Sequence, residues 1–271
     1  VLADLVQAET MLDLASRATV DAERLLDITS MMESAGAAAQ ADVLQARTRF
    51  LQQRQSELQA QADLAIAERR YAILTGLSIK PDGALNEAPV ANSLSSTHPT
   101  LKFLQSQVGI AAAGVALTRH QANGRPNLRF GVRRERGDRR EPYIDTFGVT
   151  FSVPIGSSPA ADASVSVARS QQVDAEVRML QARRQLETRL RELEQELALS
   201  DELLTLGEDR VMISNQRYEM SLAAFEVGES DLTQVVLAQQ QALQAQKDLA
   251  TARLSQQRLI SEYNQTMGVL P

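Results

Sequence analysis

The side chains able to carry covalent or proton-transfer chemistry are few in kind. There is no cysteine and there are only two histidines, His98 and His120, against 34 Asp plus Glu and 28 Lys plus Arg. A thiol nucleophile, a disulfide framework, a thiolate metal site and a cysteine-borne lipid are therefore excluded from this chain. Two isolated histidines make no metal site and read as local capping or surface groups. No phosphate-cradling glycine loop, no Gly-x-Ser-x-Gly elbow and no zinc-ligand spacing occurs. The carboxylates lie among Arg and Gln on helix faces, where charge is solvated or ion-paired. The sequence thus predicts no catalytic residue, no bound metal and no cofactor: it is not an enzyme. A net charge of −6 also argues against nucleic acid as the main partner, because phosphate binding needs a basic surface. The chemistry left is electrostatic. It concentrates in the Arg-rich run Arg133–Glu141, which reads either as a surface loop facing an anionic surface or as an exposed charged turn.

The elements around that run are mostly helical. Aromatic residues make up only 4% and Trp is absent, although 44% of residues are hydrophobic, a profile that suits Ala/Leu/Gln-rich helices packed in pairs. Ala160–Glu226 has no internal Pro. In it Leu190, Leu197, Leu204, Val211, Tyr218 and Phe225 recur every seven residues, with Leu186 and Leu193 at the second position of the repeat. That is the seam of a coiled coil, and the run would reach roughly 100 Å. Val1–Glu33 reads as a helix with Leu5, Leu12, Leu25 and Leu26 on one face, ended at Gly36. Gln40–Thr75 is a second helix, with Leu44, Leu51 and Leu58 at heptad spacing, stopped by Gly76; the pair makes an antiparallel hairpin. Residues 77–97 are a linker with turn chemistry at Lys80-Pro81-Asp82-Gly83. Thr97 is a candidate N-cap for a third helix with Pro99 in its first turn, running to Ala122 and ended by Asn123-Gly124-Arg125-Pro126.

A strand pair over about 126–155 follows. Leu128, Phe130 and Val132 alternate with Arg129, Gly131 and Arg133. After the charged loop, Phe147, Val149, Phe151 and Val153 alternate with Gly148, Thr150 and Ser152. This period-2 pattern on both sides of a turn signals a β-hairpin. Each arm is about nine to eleven residues, the length a tilted strand needs to cross a bilayer. The alternation puts Leu128, Phe130, Val132, Phe147, Val149 and Phe151 on a lipid face and small or polar residues on a wet one. A surface hairpin packed on its own helices is the competing reading. The chain then returns through 160–226, turns at 227–230 with Ser230 as N-cap, and ends in a helix over 231–267. No run of about 18 apolar residues is present, so no transmembrane helix is expected. Val1 is not a natural start, which points to an N-terminal segment that has been removed.

The chain also repeats itself. At a fixed offset of 192 (228 − 36), Gly36/Gly228, Val43/Val235, Ala46/Ala238, Leu51/Leu243, Gln52/Gln244, Ala60/Ala252, Tyr71/Tyr263 and Gly76/Gly268 coincide without a gap, as do Leu5/Leu197, Leu12/Leu204 and Leu14/Leu206. This is a duplication. Residues 1–76 are then the second half of a first unit and 98–271 a second unit. The first unit would lack about 95 residues (193 − 98), including a helix and a hairpin. The fold expected is mainly α: long antiparallel helical hairpins with one β-hairpin, truncated at the N-terminus.

This plan resembles the TolC family of outer-membrane efflux channels. The resemblance rests on Phe225-Glu226-Val227-Gly228 at one tip and Ala41-Asp42-Val43-Leu44-Gln45-Ala46 after the other. His98-Pro99 at a helix start and Arg125-Pro126-Asn127-Leu128 entering a strand also fit. Gly131-Val132-Arg133-Arg134-Glu135-Arg136-Gly137-Asp138 and Ser152-Val153-Pro154-Ile155 are most similar to the heavy-metal cation branch, the cobalt–zinc–cadmium type. The resemblance implies a homotrimer whose shared β-barrel sits in outer-membrane lipid and whose helices form a periplasmic tunnel. It also implies a periplasmic adaptor at the tips and an inner-membrane RND pump that loads the exported solute. By the same resemblance Gly36, Ala37, Val227, Gly228 and Glu229 contact the adaptor. Asp42 matches an acidic residue near the tip constriction, and Phe225 stands where a tyrosine can occur. Gln234 and Leu237 fall where some relatives carry aspartates, which leaves Glu226, Glu229 and Asp231 to supply negative charge at the tip. Plain helix capping by the glycines is compatible with adaptor contact. A periplasmic adaptor or a structural coiled-coil scaffold are the alternatives. The first lacks its expected β-rich flanks, and the second leaves the hairpin and the paired Gly turns unexplained.

Overall fold

A computed structural model of the chain describes residues 1–81, 87–90, 94, 98–122, 126–153 and 159–269. Among them are five helices and one two-stranded sheet: α1 (Leu2–Ser34), α2 (Gln40–Thr75), α3 (Pro99–Ala122), β1 (Asn127–Glu135), β2 (Ile144–Ser152), α4 (Pro159–Glu226) and α5 (Leu232–Thr266). The architecture is mainly α with a single β-hairpin. Thr97, Asn123–Arg125, Asp82, Gly83 and Pro154 lie outside the described residues. The chain divides into two compact units, one of Val1–Ala91 with Leu190–Pro271 and one of Asn92–Arg189.

The first unit holds α1, α2, α5 and the part of α4 from Leu190 onward. The two helical hairpins turn at Gly36 and Gly228, whose φ angles of 75° and 79° lie in the left-handed region. Each turn closes with the same pair of bonds. Gly36 N–H donates to Glu33 O (2.8 Å) and Ala37 N–H to Met32 O (2.8 Å). At the offset positions Gly228 N–H donates to Phe225 O (2.9 Å) and Glu229 N–H to Ala224 O (2.8 Å). This is the Schellman pattern, which satisfies carbonyls that a helix end leaves open.

The return helices are capped by opposite halves of a capping box. Asp42 accepts from Ala39 N–H (3.1 Å), reaching back, and Ala39 has no acceptor to reach forward. Asp231 accepts from Gln234 N–H (2.9 Å), reaching forward. The N-cap of α5 is therefore Asp231 and not the expected Ser230, one residue earlier: the carboxylate completes the cap, and Ser230 Oγ instead lies 3.3 Å from Gln234 Oε1.

Polar pairs along the second hairpin fix its antiparallel register: Arg253 to Glu208 (2.7 Å), Arg210 to Asp248 (2.9 Å), Gln246 to Asn215 (2.9 Å) and Arg217 to Gln241 (2.8 Å). Arg258 joins α5 to Asp4 of α1 (2.6 Å). The segment after α2 is tied down by Asn264, which accepts from Val90 N–H (3.0 Å) and donates to Ala88 O (3.1 Å), and by an ion pair of Lys80 with Glu9. Buried α5 residues Val235, Ala238, Ala242, Ala245 and Leu249 follow three- and four-residue steps, the stripe of a helix packed along its length.

The heptad pattern of α2 behaves differently from its appearance in the sequence. Leu44, Leu51 and Leu58 are exposed, and the buried positions are Ala46, Arg49, Gln53, Glu57 and Tyr71. On α4 the seam residues Leu190 and Phe225 are buried and Leu197, Leu204, Val211 and Tyr218 half-buried. A second seven-residue stripe, Leu199, Leu206, Ile213, Met220 and Val227, is 57–70% exposed.

The second unit holds α3, the hairpin and α4 up to Arg189. His98 caps α3 with its own ring, Nδ1 accepting from Thr100 N–H (3.2 Å), and Pro99 opens the helix. Phe103, Ile110 and Leu117, again seven apart, are exposed. β1 and β2 pair antiparallel from Asn127↔Ser152 to Glu135↔Ile144.

A Cβ at Gly36 or Gly228 would touch nothing within 4 Å, so substitution there carries backbone strain alone. Gly36→Ala and Gly228→Ala should each lower unfolding stability by about 1–2 kcal/mol, the cost of the left-handed region for an L-residue. Asn should cost less. Denaturant midpoints check both.

Candidate functional site: helix tips and hairpin

The tips are built on one apolar cluster. Leu25 of α1, Ala46 of α2, Leu222 and Phe225 of α4, and Leu232 and Val235 of α5 are buried together, with Leu26, Ile28, Met32, Tyr218 and Val236 packed against them. Phe225 is thus a core residue that welds the two helical hairpins. Its ring has no hydroxyl to bond across the tip.

The other expected tip residues sit outside this cluster. Gly36, Ala37, Val227, Gly228 and Glu229 are exposed, and Gln234 is exposed beside them. Of the tip carboxylates, Asp42 and Asp231 are engaged as helix caps, and Glu226 lies 3.8 Å from Arg24. Glu229 is exposed at the turn.

Next to the apolar cluster lies a polar layer that heptad reasoning missed. Arg49 is only 8% exposed. Its Nε donates to Gln239 Oε1 (3.2 Å). With the Gln53 amide turned to accept, Arg49 Nη1 and Nη2 donate to its oxygen at 2.8 and 3.2 Å. Two neutral amides, one on α2 and one on α5, therefore hold a buried cation. Burial pushes the Arg49 guanidinium below its ordinary range, though an arginine remains charged. Tyr218 faces the same region. Its phenol is pushed up, first by burial and then by the negative charge of Asp21. Asp21 is itself raised, by desolvation that outweighs the opposing charge of Arg24. A cleft of about 310 Å³ lies here, lined by Arg17, Asp21, Arg24, Tyr218, Glu219 and Gln246 among others. Only the recurrence of polar residues between buried Ala46 and Glu57 could have signalled the layer from sequence.

The hairpin makes a different surface. Its register sets Leu128 opposite Phe151, Phe130 opposite Val149, and Val132 opposite Phe147, so all six expected apolar residues share one face. None is covered: Phe130 is 72% and Phe147 77% exposed. The other face carries Arg129/Thr150, Gly131/Gly148 and Arg133/Thr146. Among the described residues no group of three or more His, Asp or Glu side chains could hold a metal ion, and no helix is long and apolar enough to cross a membrane.

The described residues thus combine two long helical hairpins, closed by paired glycine turns, with a β-hairpin that is apolar on one exposed face. The sequence matches the Outer membrane efflux protein family over residues 90–262, and the chain belongs to that family, whose members are channels and not enzymes. The fold is similar to that of solved outer-membrane proteins. Against CusC the TM-score is 0.79 at 13% identity, covering 99% of this chain and 66% of that one. Against VceC of Vibrio cholerae it is 0.71 at 14% identity, covering 98% and 67%. Against the CmeC channel of Campylobacter jejuni it is 0.70 at 17% identity, covering 98% and 60%. The chain thus spans about two thirds or less of these proteins' lengths. A sequence search of curated proteins finds no match.

Two outcomes test the polar layer. Arg49→Ala should cost about 2–4 kcal/mol, because it strands buried amides, whereas Arg49→Met combined with Gln53→Leu and Gln239→Leu should recover most of that loss; denaturation of the native protein and the two variants checks it. The folded state also holds the Tyr218 proton to higher pH than the unfolded chain, whose phenols titrate near 10. Between those values the folded state binds more protons, so stability should fall as pH rises above about 10. Tyr218→Phe should flatten that fall in a urea-midpoint series against pH.

Proposed function

We propose that the chain forms part of an outer-membrane exit duct of a tripartite efflux system. The observation that carries this is the hairpin: three consecutive cross-strand apolar pairs on one exposed face, with a polar face opposite. Lipid admits such a ribbon only when further strands close it into a barrel, since every backbone N–H and C=O must be paired there.

Further copies of the chain supply those strands, in a homotrimer. The uncovered heptad stripes on α2, α3 and α4 support this, because a seven-residue apolar repeat is the mark of a helix with a partner along its length. The helical hairpins then line a periplasmic tunnel. A periplasmic adaptor docks at Gly36, Ala37, Val227, Gly228 and Glu229, which are exposed around two turns of matching geometry. An inner-membrane RND pump loads the duct. Heavy-metal cations are the proposed cargo, on the likeness of Gly131–Asp138 and Ser152–Ile155 to that branch of the family, with selection made in the pump. Asp42, Phe225, Glu226, Asp231 and Gln234 shape the tip constriction, three of them through capping and packing.

The full-length protein should give stable conductance steps in planar lipid bilayers. Phe130→Arg, at the middle of the apolar face, should cut insertion sharply, since a midplane Arg costs about 2–4 kcal/mol. Thr150→Arg on the opposite face should insert normally. Equal insertion of the two variants, or silence of the native protein, would contradict the proposal.

A further inference from the structure

The apolar face of the hairpin does not fade out towards its loop; it ends in a specific cluster. Two residues beyond the Val132/Phe147 pair on the same face, Arg134 stands opposite Asp145. Arg134 Nε and Nη2 donate to Asp145 Oδ1 and Oδ2 at 2.5 and 2.7 Å, a bidentate pair. One rung further, the alternation brings Arg136 to Tyr143. The guanidinium carbons of Arg136 and Arg134 lie 5.0 and 5.5 Å from the centre of the Tyr143 ring, within cation–π range.

The charges around this cluster are unevenly committed. Arg134 is taken by Asp145, and Arg133 pairs with Glu135. Asp138 accepts from the backbone N–H of Arg139 (2.5 Å). Among the described residues Arg136 has no carboxylate partner; it is held by an aromatic face, which orients a guanidinium without neutralising it.

We propose that Arg136, held by Tyr143 beside the Arg134–Asp145 pair, binds the phosphorylated headgroup of an anionic lipid at the loop-side edge of the apolar band. The inference rests on the membrane-strand reading given above. A soluble anion would need only the guanidinium. A lipid uses the whole face, its acyl chain along Val132 and Phe147 and its phosphate at the first uncommitted cation beyond them. An aromatic ring at this level is where the amphipathic side chains of membrane barrels collect. Planar guanidinium donors match phosphate oxygens two at a time. Arg139 and Arg140, exposed in the loop, lie past the cluster and add diffuse positive charge.

The test uses the full-length protein in vesicles of phosphatidylcholine, with and without lipid A carrying both phosphates. Flotation with neutral vesicles reports insertion. Spin-labelled anionic and zwitterionic lipids report the preference of the protein's lipid shell by electron paramagnetic resonance. The native protein should insert in neutral vesicles and favour the anionic lipid. Arg136→Gln should insert equally well and lose that preference by about fivefold, the factor one surface cation contributes. Tyr143→Leu should lose part of it, and Arg136→Lys should retain more than Arg136→Gln. Normal insertion with no anionic preference, or a preference unchanged in Arg136→Gln, overturns the inference alone. Failure of the native protein to enter neutral vesicles overturns the membrane-strand reading and the inference with it.

Discussion

A two-stranded ribbon pairs its backbone only along the seam between β1 and β2. The outer edge of each strand keeps a row of N–H and C=O groups without a partner in this sheet. In water that is tolerable. Next to an apolar face built of Leu128, Phe130, Val132, Phe147, Val149 and Phe151 it creates a conflict, because the solvent that suits those side chains cannot satisfy the strand edges. Closure with strands from elsewhere removes the conflict. The helices carry a parallel requirement, apolar seven-residue stripes on α2, α3 and α4 that this chain leaves exposed.

The helices carry two kinds of apolar repeat. One joins the hairpins of a single chain, and it ends in the Leu25, Phe225, Leu232 and Val235 cluster at the tips. The other, on Leu199 through Val227 and on Leu44, Leu51 and Leu58, faces outward. The first fixes which helices are neighbours. The polar layer of Arg49, Gln53 and Gln239 then constrains their offset, because a buried cation between two amides tolerates little sliding. Stability at the tips therefore comes mainly from apolar burial, and positional definition from hydrogen bonds that cross between the two hairpins.

Much of this was legible in the residues. The hairpin register could be read because strand periodicity is strict and both arms show it without a break. The glycine turns could be read because the same spacing occurs twice and only a residue without Cβ sits easily at positive φ. The seam of α4 was visible from Leu190 to Phe225. Burial on α2 was not, since Leu44, Leu51 and Leu58 look in sequence like a seam closed within the chain. A heptad stripe carries no label saying whose surface covers it. Arg49 escaped for the opposite reason: a charged residue in a helix reads as solvated, and only the amides from two other turns of helix make its burial tolerable. Asp231 in place of Ser230 shows the usual one-residue uncertainty of helix ends, settled here by which side chain reaches Gln234 N–H.

A hairpin that spans lipid presents its two faces to different solvents. The absence of native cysteine allows single cysteines to be placed at each position from Leu128 to Arg133 and spin-labelled in the full-length protein reconstituted in bilayers. Collision with dissolved oxygen and with a water-soluble nickel chelate should alternate residue by residue, oxygen dominating at 128, 130 and 132 and the chelate at 129, 131 and 133. Uniform access to the chelate at all six positions would contradict a lipid-spanning hairpin.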